Sequence, residues 1–389
     1  MNKTQGFAAL LALAPAWVHA AGYYLPNQDA FATAKGNAFV ATADNPSAVF
    51  YNPAGMTQLD SPGFQMGAYS IVLGNEVKMN GERHEARDEL QVAPSIFYAA
   101  PFNEKISYGF ALNSPFGLGT EWGQDTPFRT VVTEARLMYV SGTSAIAYKV
   151  TDTLSVGAAF SVNYADLTLE QGIGGPGSYF RYEGNGLGVS GGLSVLWQPA
   201  EKHSFGATYT TKSTFNLEGS TTSDLLASDH SAELDFMAPA RASIGYSFRP
   251  KPGWNFEVNV EWLDWDSLNT LTLESDSIGG SMGVPFEWKS SFIYEAGVSY
   301  TTPDGYVFAV GYDFNANSQP DENFTPGVSD ANRHWFNLGF GRKGECNDWM
   351  VAYQFGYSNR TVDDAANVLA NGRYESRHHA LVLSWQHRF

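Results

Sequence analysis

The chain of 389 residues contains little cysteine and little charge, and above all little positive charge. Its single cysteine, Cys346, excludes an internal disulfide framework, so the sheet and the core must hold the fold. Lysine and arginine total 23 against 40 aspartates and glutamates, and the net charge of −17 argues against nucleic acid as a partner. Charged residues make up only 16% of the chain, which is low for a soluble surface.

Long apolar runs are also missing after residue 20. Before it, Lys3 precedes an apolar run from Phe7 to Trp17, and small residues follow at Val18 and Ala20. This pattern predicts a signal peptide over residues 1–20, because a transmembrane helix needs about 20 apolar residues. The remaining chain is expected to be a soluble secreted protein or a transmembrane β-barrel, whose strands show no continuous apolar run.

From residue 62 onwards, segments recur in which bulky apolar residues alternate with small or polar ones. Between Leu154 and Tyr164 every second residue is bulky and mostly apolar, and those between are small or polar. That period of two is typical of a β-strand with two different faces. The same alternation is found in residues 187–198, 306–314 and 381–389.

The connections between these segments alternate in length. Short, turn-like stretches lie at residues 101–105, 149–153, 198–202, 249–253, 302–305 and 342–348. Longer polar stretches lie near residues 80–90, 119–134, 172–185, 218–232, 273–286, 315–332 and 363–373. Six short and seven long connections join fourteen strands, with short turns at one end and longer loops at the other, as in outer-membrane barrels.

We therefore predict an all-β fold, a 14-stranded antiparallel transmembrane β-barrel of residues 62–389 in the outer membrane of a Gram-negative bacterium. Lipid offers the backbone no hydrogen-bond partners, so such a sheet must close on itself. The alternative is a secreted β-sandwich or propeller, but exposed aromatic residues on such a fold would favour aggregation.

Residues 21–61, called the N-terminal segment below, do not alternate. Small residues dominate, and two Asn-Pro pairs interrupt the stretch NPSAVFYNPAGM at residues 45–56. Proline cannot donate to a sheet ladder, so the segment should not add a strand to the wall. A fourteen-stranded barrel is wide enough to hold more than its own side chains. We predict that the N-terminal segment is a plug inside it.

Several stretches resemble the FadL family of outer-membrane transporters, which carry long-chain fatty acids and other hydrophobic compounds and include aromatic-hydrocarbon transporters. AGYYLPNQ resembles the mature start of the family, and Asn52, Pro53 and Ala54 match the Asn-Pro-Ala motif of its plug, or hatch. NSPFGLGTEW at 113–122 resembles its kinked third strand. Similar stretches at 236–250, 286–300 and 332–341 extend the resemblance over essentially the whole mature chain.

The resemblance implies uptake of fatty acids or similar hydrophobic molecules, with rearrangement of the hatch and sideways exit at the kinked third strand. It implies ligand contacts from Tyr23, Tyr24 and Leu25 and a lateral gap at Asn113, Pro115, Phe116 and Gly117. Alternatives are uptake of uncharged aromatic hydrocarbons by the same route, a general porin and an adhesive surface barrel. A plug of about forty residues argues against the porin, and modest loops argue against the adhesin.

A buried carboxylate needs a compensating cation, and strand parity turns Lys289, Arg241 and Arg333 towards the lumen. Lys289 also falls on a basic ligand-contacting position of the family. The family's other basic contact falls near Gln171, a departure that keeps uncharged aromatic ligands open.

The sequence does not indicate an enzyme. His378 and His379 have no serine partner, and the eight histidines show no metal-ligand spacing, so we expect neither a catalytic site nor a metal nor a cofactor. The expected partners are a hydrophobic small molecule and the lipid and lipopolysaccharide of the outer membrane, contacted by a monomer. Acidic loop residues such as Glu82, Glu85, Asp88 and Glu89 are expected to be solvated rather than bridged to lipopolysaccharide by divalent cations.

Overall fold

The structure is a computed structural model, and it describes residues 22–87, 89–225 and 229–389. The predicted signal peptide, residues 1–20, and Asp88 lie outside the described residues. In the described ranges no helix has the length and apolar character needed to cross a membrane.

The described chain forms twenty strand segments and two short α-helices. The helices are α1 (Ala30–Thr33) and α2 (Ala48–Tyr51), and 3-10 turns lie at Pro53–Gln58, Trp265–Ser267, Asp276–Ile278, Pro326–Val328 and Val368–Ala370. The strands are β1 (Gly63–Met79), β2 (Glu82–Glu85), β3 (Leu90–Pro101), β4 (Ile106–Asn113), β5 (Gly117–Glu121), β6 (Glu134–Thr151), β7 (Leu154–Gly172), β8 (Tyr179–Ala200), β9 (His203–Thr210), β10 (Ser213–Ser223), β11 (His230–Ala238), β12 (Arg241–Phe248), β13 (Trp254–Leu263), β14 (Thr270–Ser275), β15 (Gly280–Pro285), β16 (Ser291–Thr301), β17 (Tyr306–Asn315), β18 (Arg333–Lys343), β19 (Asn347–Val362) and β20 (Gly372–Arg388).

These segments close into one antiparallel barrel. Neighbours pair in the order β1, β3, β4, β6, β7, β8, β9, β12, β13, β16, β17, β18, β19 and β20. β20 then pairs with β1 from Gly63↔Arg388 to Lys78↔Arg373. The six remaining segments extend individual barrel strands, so twenty segments make fourteen barrel strands and the predicted fold is confirmed.

Residue alternation matches the two faces of the wall. On β18, Phe336, Leu338 and Phe340 are exposed on the outer face, whereas Trp335 and Asn337 are buried on the inner face. An outer face of large apolar side chains suits lipid, and the polar residues are turned inwards.

The N-terminal segment supplies the atoms that bury the inner face. α1 contacts β18, β19 and β20, α2 contacts β3, β4 and β6, and the 3-10 turn Pro53–Gln58 contacts β6, β7 and β8. The wall lies very close to the segment. A Cβ on Gly311 would collide with the backbone of Lys35, and one on Gly206 with the backbone of Val40. Described residues of the segment therefore contact strands on opposite sides of the barrel.

Candidate functional site

An apolar cavity lies between the N-terminal segment and the connections at the end of the barrel with the longer loops. Its volume is about 110 Å³. An engineered dry cavity of roughly 150 Å³ in another protein binds benzene, so this one is about the size of an aromatic ring or a short piece of acyl chain. Besides Tyr23, the apolar lining includes Leu137, Leu167, Phe236, Leu271, Phe286 and Val328.

Tyr23 lines this cavity from the N-terminal segment. Its ring lies 4.7 Å from that of Trp265 and 5.7 Å from that of Phe236, and its hydroxyl donates to the Met237 carbonyl at 2.9 Å. Burial raises the pKa of the Tyr23 hydroxyl well above its ordinary value, so the side chain is neutral. Of the three ligand-contacting residues predicted in the N-terminal segment, Tyr23 is the one that lines this cavity.

Two tryptophans beside Tyr23 were not identified from the sequence. Trp265 and Trp288 are fully buried, and their rings lie 5.1 Å apart. Neither indole nitrogen has a hydrogen-bond partner among the described residues. The signal available in the sequence was a tryptophan within each of two otherwise polar connections.

Tyr24 and Leu25 point elsewhere. The Tyr24 hydroxyl donates to Glu261 Oε1 at 3.0 Å and accepts from Arg241 Nη1 at 2.9 Å. The Arg241 guanidinium also lies over the Phe50 ring at 4.4 Å and 3.6 Å from the Glu261 carboxylate. Arg241 is thus turned inwards but is already paired, while Leu25 lines a second cavity described below.

Lys289 does not occupy the position predicted for it. It precedes β16, which begins at Ser291, and its exposed side chain lies in the connection while its backbone N–H donates to the Ser318 carbonyl at 2.8 Å. Its neighbour Trp288 is the buried residue. The parity argument assumed that β16 already includes Lys289, two residues before its first residue. The prediction that Lys289 faces the lumen was therefore wrong, and its side chain lies exposed in the connection.

Arg333 lies at a polar end of the cavity, together with Asp330 and His378. The Trp335 ring lies 5.9 Å from the Arg333 guanidinium and 5.6 Å from the His378 ring. Asp330 Oδ2 accepts from the Ser318 N–H at 3.0 Å and the Ser318 hydroxyl at 2.6 Å. Arg333 Nε, Asp330 Oδ1 and His378 Nδ1 are buried without partners in the described structure.

The third barrel strand is broken between β4 and β5. β4 ends at Asn113 and β5 begins at Gly117, whose φ of +144° favours glycine. Pro115 lies in the break and has no N–H to donate. The N-terminal segment pairs with the break instead, since the Leu25 N–H donates to the Pro115 carbonyl at 2.8 Å and the Gly117 N–H donates to the Tyr23 carbonyl at 3.0 Å.

A gap in the wall accompanies the break. β3 pairs with β4 only from Ile96 to Pro101, and β5 pairs with β6. No ladder pairing joins β5 to β3 among the described residues, so residues 90–95 lack backbone partners on this side.

Two glutamine side chains bond to the edges of this gap. The Gly119 N–H donates to Gln91 Oε1 at 2.8 Å, and Gln91 Nε2 donates back to the Gly119 carbonyl at 2.8 Å. From the N-terminal segment, Gln28 Nε2 donates to the Ser114 carbonyl at 2.9 Å, and Gln28 Oε1 accepts from Asn113 Nδ2 at 3.1 Å. Side-chain amides therefore occupy places where a ladder would have backbone groups.

A second cavity of about 280 Å³ lies at the gap. Leu25 and the buried Phe116 line its inner part. Gly117 and Leu137 line both this cavity and the one at Tyr23, so the two are neighbours. Leu90, Val92 and Met138 are exposed along its outer rim, and Glu89 and Arg136, 3.6 Å apart, line the same cavity.

The predicted hatch motif holds the segment to the wall. Asn52 Oδ1 accepts from the Ala54 N–H at 3.1 Å and so caps the 3-10 turn that begins at Pro53. Asn52 Nδ2 donates to the Val195 carbonyl at 3.0 Å, and the Ala54 N–H also donates to the Ser194 hydroxyl at 3.0 Å. The motif thus combines a turn with an attachment to β8.

Comparison with known proteins places the chain in a family. The model of the outer membrane protein transport protein family (OMPP1/FadL/TodX) matches residues 11–389. The long-chain fatty acid transport protein of Salmonella typhi is 22% identical over 343 residues, covering 77% of this chain and 78% of that protein.

Solved structures show the same fold. A Pseudomonas aeruginosa FadL homologue superposes with a TM-score of 0.84 at 18% identity, covering 95% of this chain and 100% of that one. The toluene transporter TbuX of Ralstonia pickettii gives a TM-score of 0.76 at 17% identity, covering 94% and 100%. The chain therefore belongs to the OMPP1/FadL/TodX family of outer-membrane transport proteins and is a β-barrel of the Gram-negative outer membrane.

Proposed function

We propose that this protein takes up hydrophobic molecules across the outer membrane, that residues 21–61 plug its lumen, and that the ligand leaves sideways through the gap between β3 and β5. The observation that carries the proposal is the adjacency of an apolar cavity at Tyr23 and a gap with exposed apolar residues on its outer side. The two share Gly117 and Leu137 as lining residues.

The plug is supported by buried polar attachments. Lys35 Nζ lies 2.9 Å from Glu257 Oε2 on β13, and both side chains are almost fully buried. Glu257 Oε1 also accepts from the backbone N–H groups of Ala41 and Thr42 at 2.8 and 3.1 Å. A general porin needs an aqueous lumen, and these contacts support the proposal that the segment occupies that space.

The cavity and the break are joined through the backbone of Tyr23. A ligand that pushes Tyr23 out of place breaks the Gly117 N–H to Tyr23 carbonyl bond, which releases the start of β5. Such a bond contributes about 1 kcal/mol net, so the binding energy of a small ligand is sufficient to break it.

Sideways exit suits the chemistry of the ligand. Leu90, Val92 and Met138 are exposed on the outer face at the gap, so a hydrophobic molecule passes from protein to lipid without crossing water. Two relatives are named as transporters of different ligands, a long-chain fatty acid and toluene. A cavity of about 110 Å³ favours a ring-sized ligand for this chain and makes uptake of aromatic compounds the second candidate function.

Filling the gap tests the proposal. Ala93 lines the gap cavity, so Ala93→Phe should block it while the surrounding wall stays in place. The matched control is Ala68→Phe, because Ala68 lies opposite Pro94 on the outward face of β1. Uptake of radiolabelled toluene and palmitate should fall at least tenfold in Ala93→Phe only, at equal amounts of folded barrel. Uptake at the rate of the parent protein in Ala93→Phe would refute exit through the gap.

A further inference from the structure

The polar end of the Tyr23 cavity contains both an unused donor and an unused acceptor. Arg333 Nε is a donor, Asp330 Oδ1 is an acceptor, and His378 Nδ1 is either, according to its tautomer. Asp330 is 1% exposed and His378 is 2% exposed. Buried polar atoms are almost always hydrogen-bonded, so three orphan atoms at one end of an apolar cavity indicate a group that binds there.

The charges at this end determine what kind of group fits. Arg333 brings a positive charge and Asp330 a negative one, so the pair has no net charge, and the two orphan atoms do not bond to each other. The charge of Arg136, which also lines the cavity, is balanced by Glu134 at 3.4 Å and Glu89 at 3.6 Å. A carboxylate would accept from Arg333 but would bring a second negative charge beside buried Asp330, which like-charge repulsion opposes. A hydroxyl donates to Asp330 and accepts from Arg333 without adding charge.

We propose that this end of the cavity is a subsite for the hydroxyl group of a small hydrophobic alcohol or phenol. The subsite rests on the proposed uptake function and specifies its substrate class. The volume of about 110 Å³ accommodates a single ring, and the Trp335 ring lies beside both Arg333 and His378. Tyr23 and Phe236 then contact the apolar part of the ligand.

Three ligands of the same outline separate the possibilities. Toluene, para-cresol and para-toluate share a methylated ring. Toluene has no polar group, para-cresol has a hydroxyl, and para-toluate has a carboxylate. Binding to the purified full-length barrel near neutral pH is measured by calorimetry, with the fluorescence of Trp265, Trp288 and Trp335 as a second signal. Para-cresol should bind about tenfold more tightly than toluene, which converts to about 1.4 kcal/mol, and more tightly than para-toluate.

Variants assign the preference to the named residues. Arg333→Met should remove the advantage of para-cresol over toluene, measured as the ratio of the two affinities. Asp330→Asn keeps an oxygen for Ser318 and removes the opposing charge, so para-toluate should gain at least tenfold relative to para-cresol. Arg342→Met, at an exposed position near the other end of β18, is the matched control and should change none of the three affinities.

The outcomes are distinct. Equal binding of toluene and para-cresol by the parent protein would overturn the proposal and leave the polar end to a bound water. Tightest binding of para-toluate would overturn it in favour of an anion site. Neither result affects exit through the gap, because Ala93→Phe is tested with toluene, which does not use this subsite.

Discussion

Gln91 and Gln28 bond through their side chains to the edges of the gap in the wall. Each uses a side-chain amide where the ladder has no backbone partner, Gln91 at Gly119 and Gln28 at Ser114. A side-chain amide separates from its partner by rotation about single bonds, without disturbing a strand. We infer that these two contacts are easier to open than a ladder.

Gln91→Leu should loosen this edge of the gap. Leucine has a similar volume but no amide, so the Gly119 N–H loses its acceptor and exchanges with solvent. Hydrogen exchange at Gly119, measured by mass spectrometry on the barrel in micelles, should become at least tenfold faster. Gln198→Leu removes a glutamine that donates to Gln58 at 3.0 Å, and this control should leave Gly119 unchanged. Unchanged exchange at Gly119 in Gln91→Leu would show that other contacts hold the edge.

Single residues are also where sequence reasoning was least complete. Arg333 was identified because it lies on a regular strand, where parity determines the face. Lys289 was misplaced because parity fails once the chain leaves the strand, and β16 begins only at Ser291. The Gln91–Gly119 contact was not predicted, since nothing local in the sequence indicates which backbone groups will lack partners.

At the scale of elements, the N-terminal segment and the broken third strand form one unit. The segment supplies backbone partners to the break through Tyr23 and Leu25, so movement of one affects the other. The motif Asn52-Pro53-Ala54 and the break near Pro115 are visible in the sequence because proline and glycine mark irregular backbone. Their mutual pairing, between residues about 90 positions apart, is a tertiary fact that only the structure provides.

Lys35→Met should release the segment from the wall. Removing one partner of a buried ion pair leaves an uncompensated charge, at a cost of about 3–5 kcal/mol. Glu257 would be that charge, and the segment should spend more time displaced. Single-channel conductance in planar bilayers should rise severalfold.

Two further variants make this result specific. Adding Glu257→Gln to Lys35→Met removes the stranded charge and should restore low conductance. Lys343→Met removes a partly exposed lysine that lies 3.7 Å from Asp44, and this weak pair should matter little to conductance. High conductance in the double variant, or in Lys343→Met, would mean that the Lys35 pair is not what holds the N-terminal segment.

The whole molecule follows from the alternation of its strands and the lack of hydrogen-bond partners in lipid. Fourteen barrel strands were predictable because period two and connection length are local signals, and closure follows from the solvent. The breaks in six of those strands were predicted only for the third, because the others carry weaker signals in the sequence. Between β3 and β5 the ladder of this wall stops at a cavity that reaches the outer face.

The central claim is that the ligand enters the bilayer before it reaches the far side. The direct measurement uses proteoliposomes with the loop end of the barrel outside and a fluorescent aromatic ligand added externally. One set of vesicles carries a quencher on its lipids and the other a quencher trapped in the lumen, and vesicles without protein give the rate of spontaneous partitioning. The account predicts that protein-dependent quenching arises first from the lipid-bound quencher and is lost in Ala93→Phe. Protein-dependent quenching that arises first in the lumen, or that persists in Ala93→Phe, would contradict it.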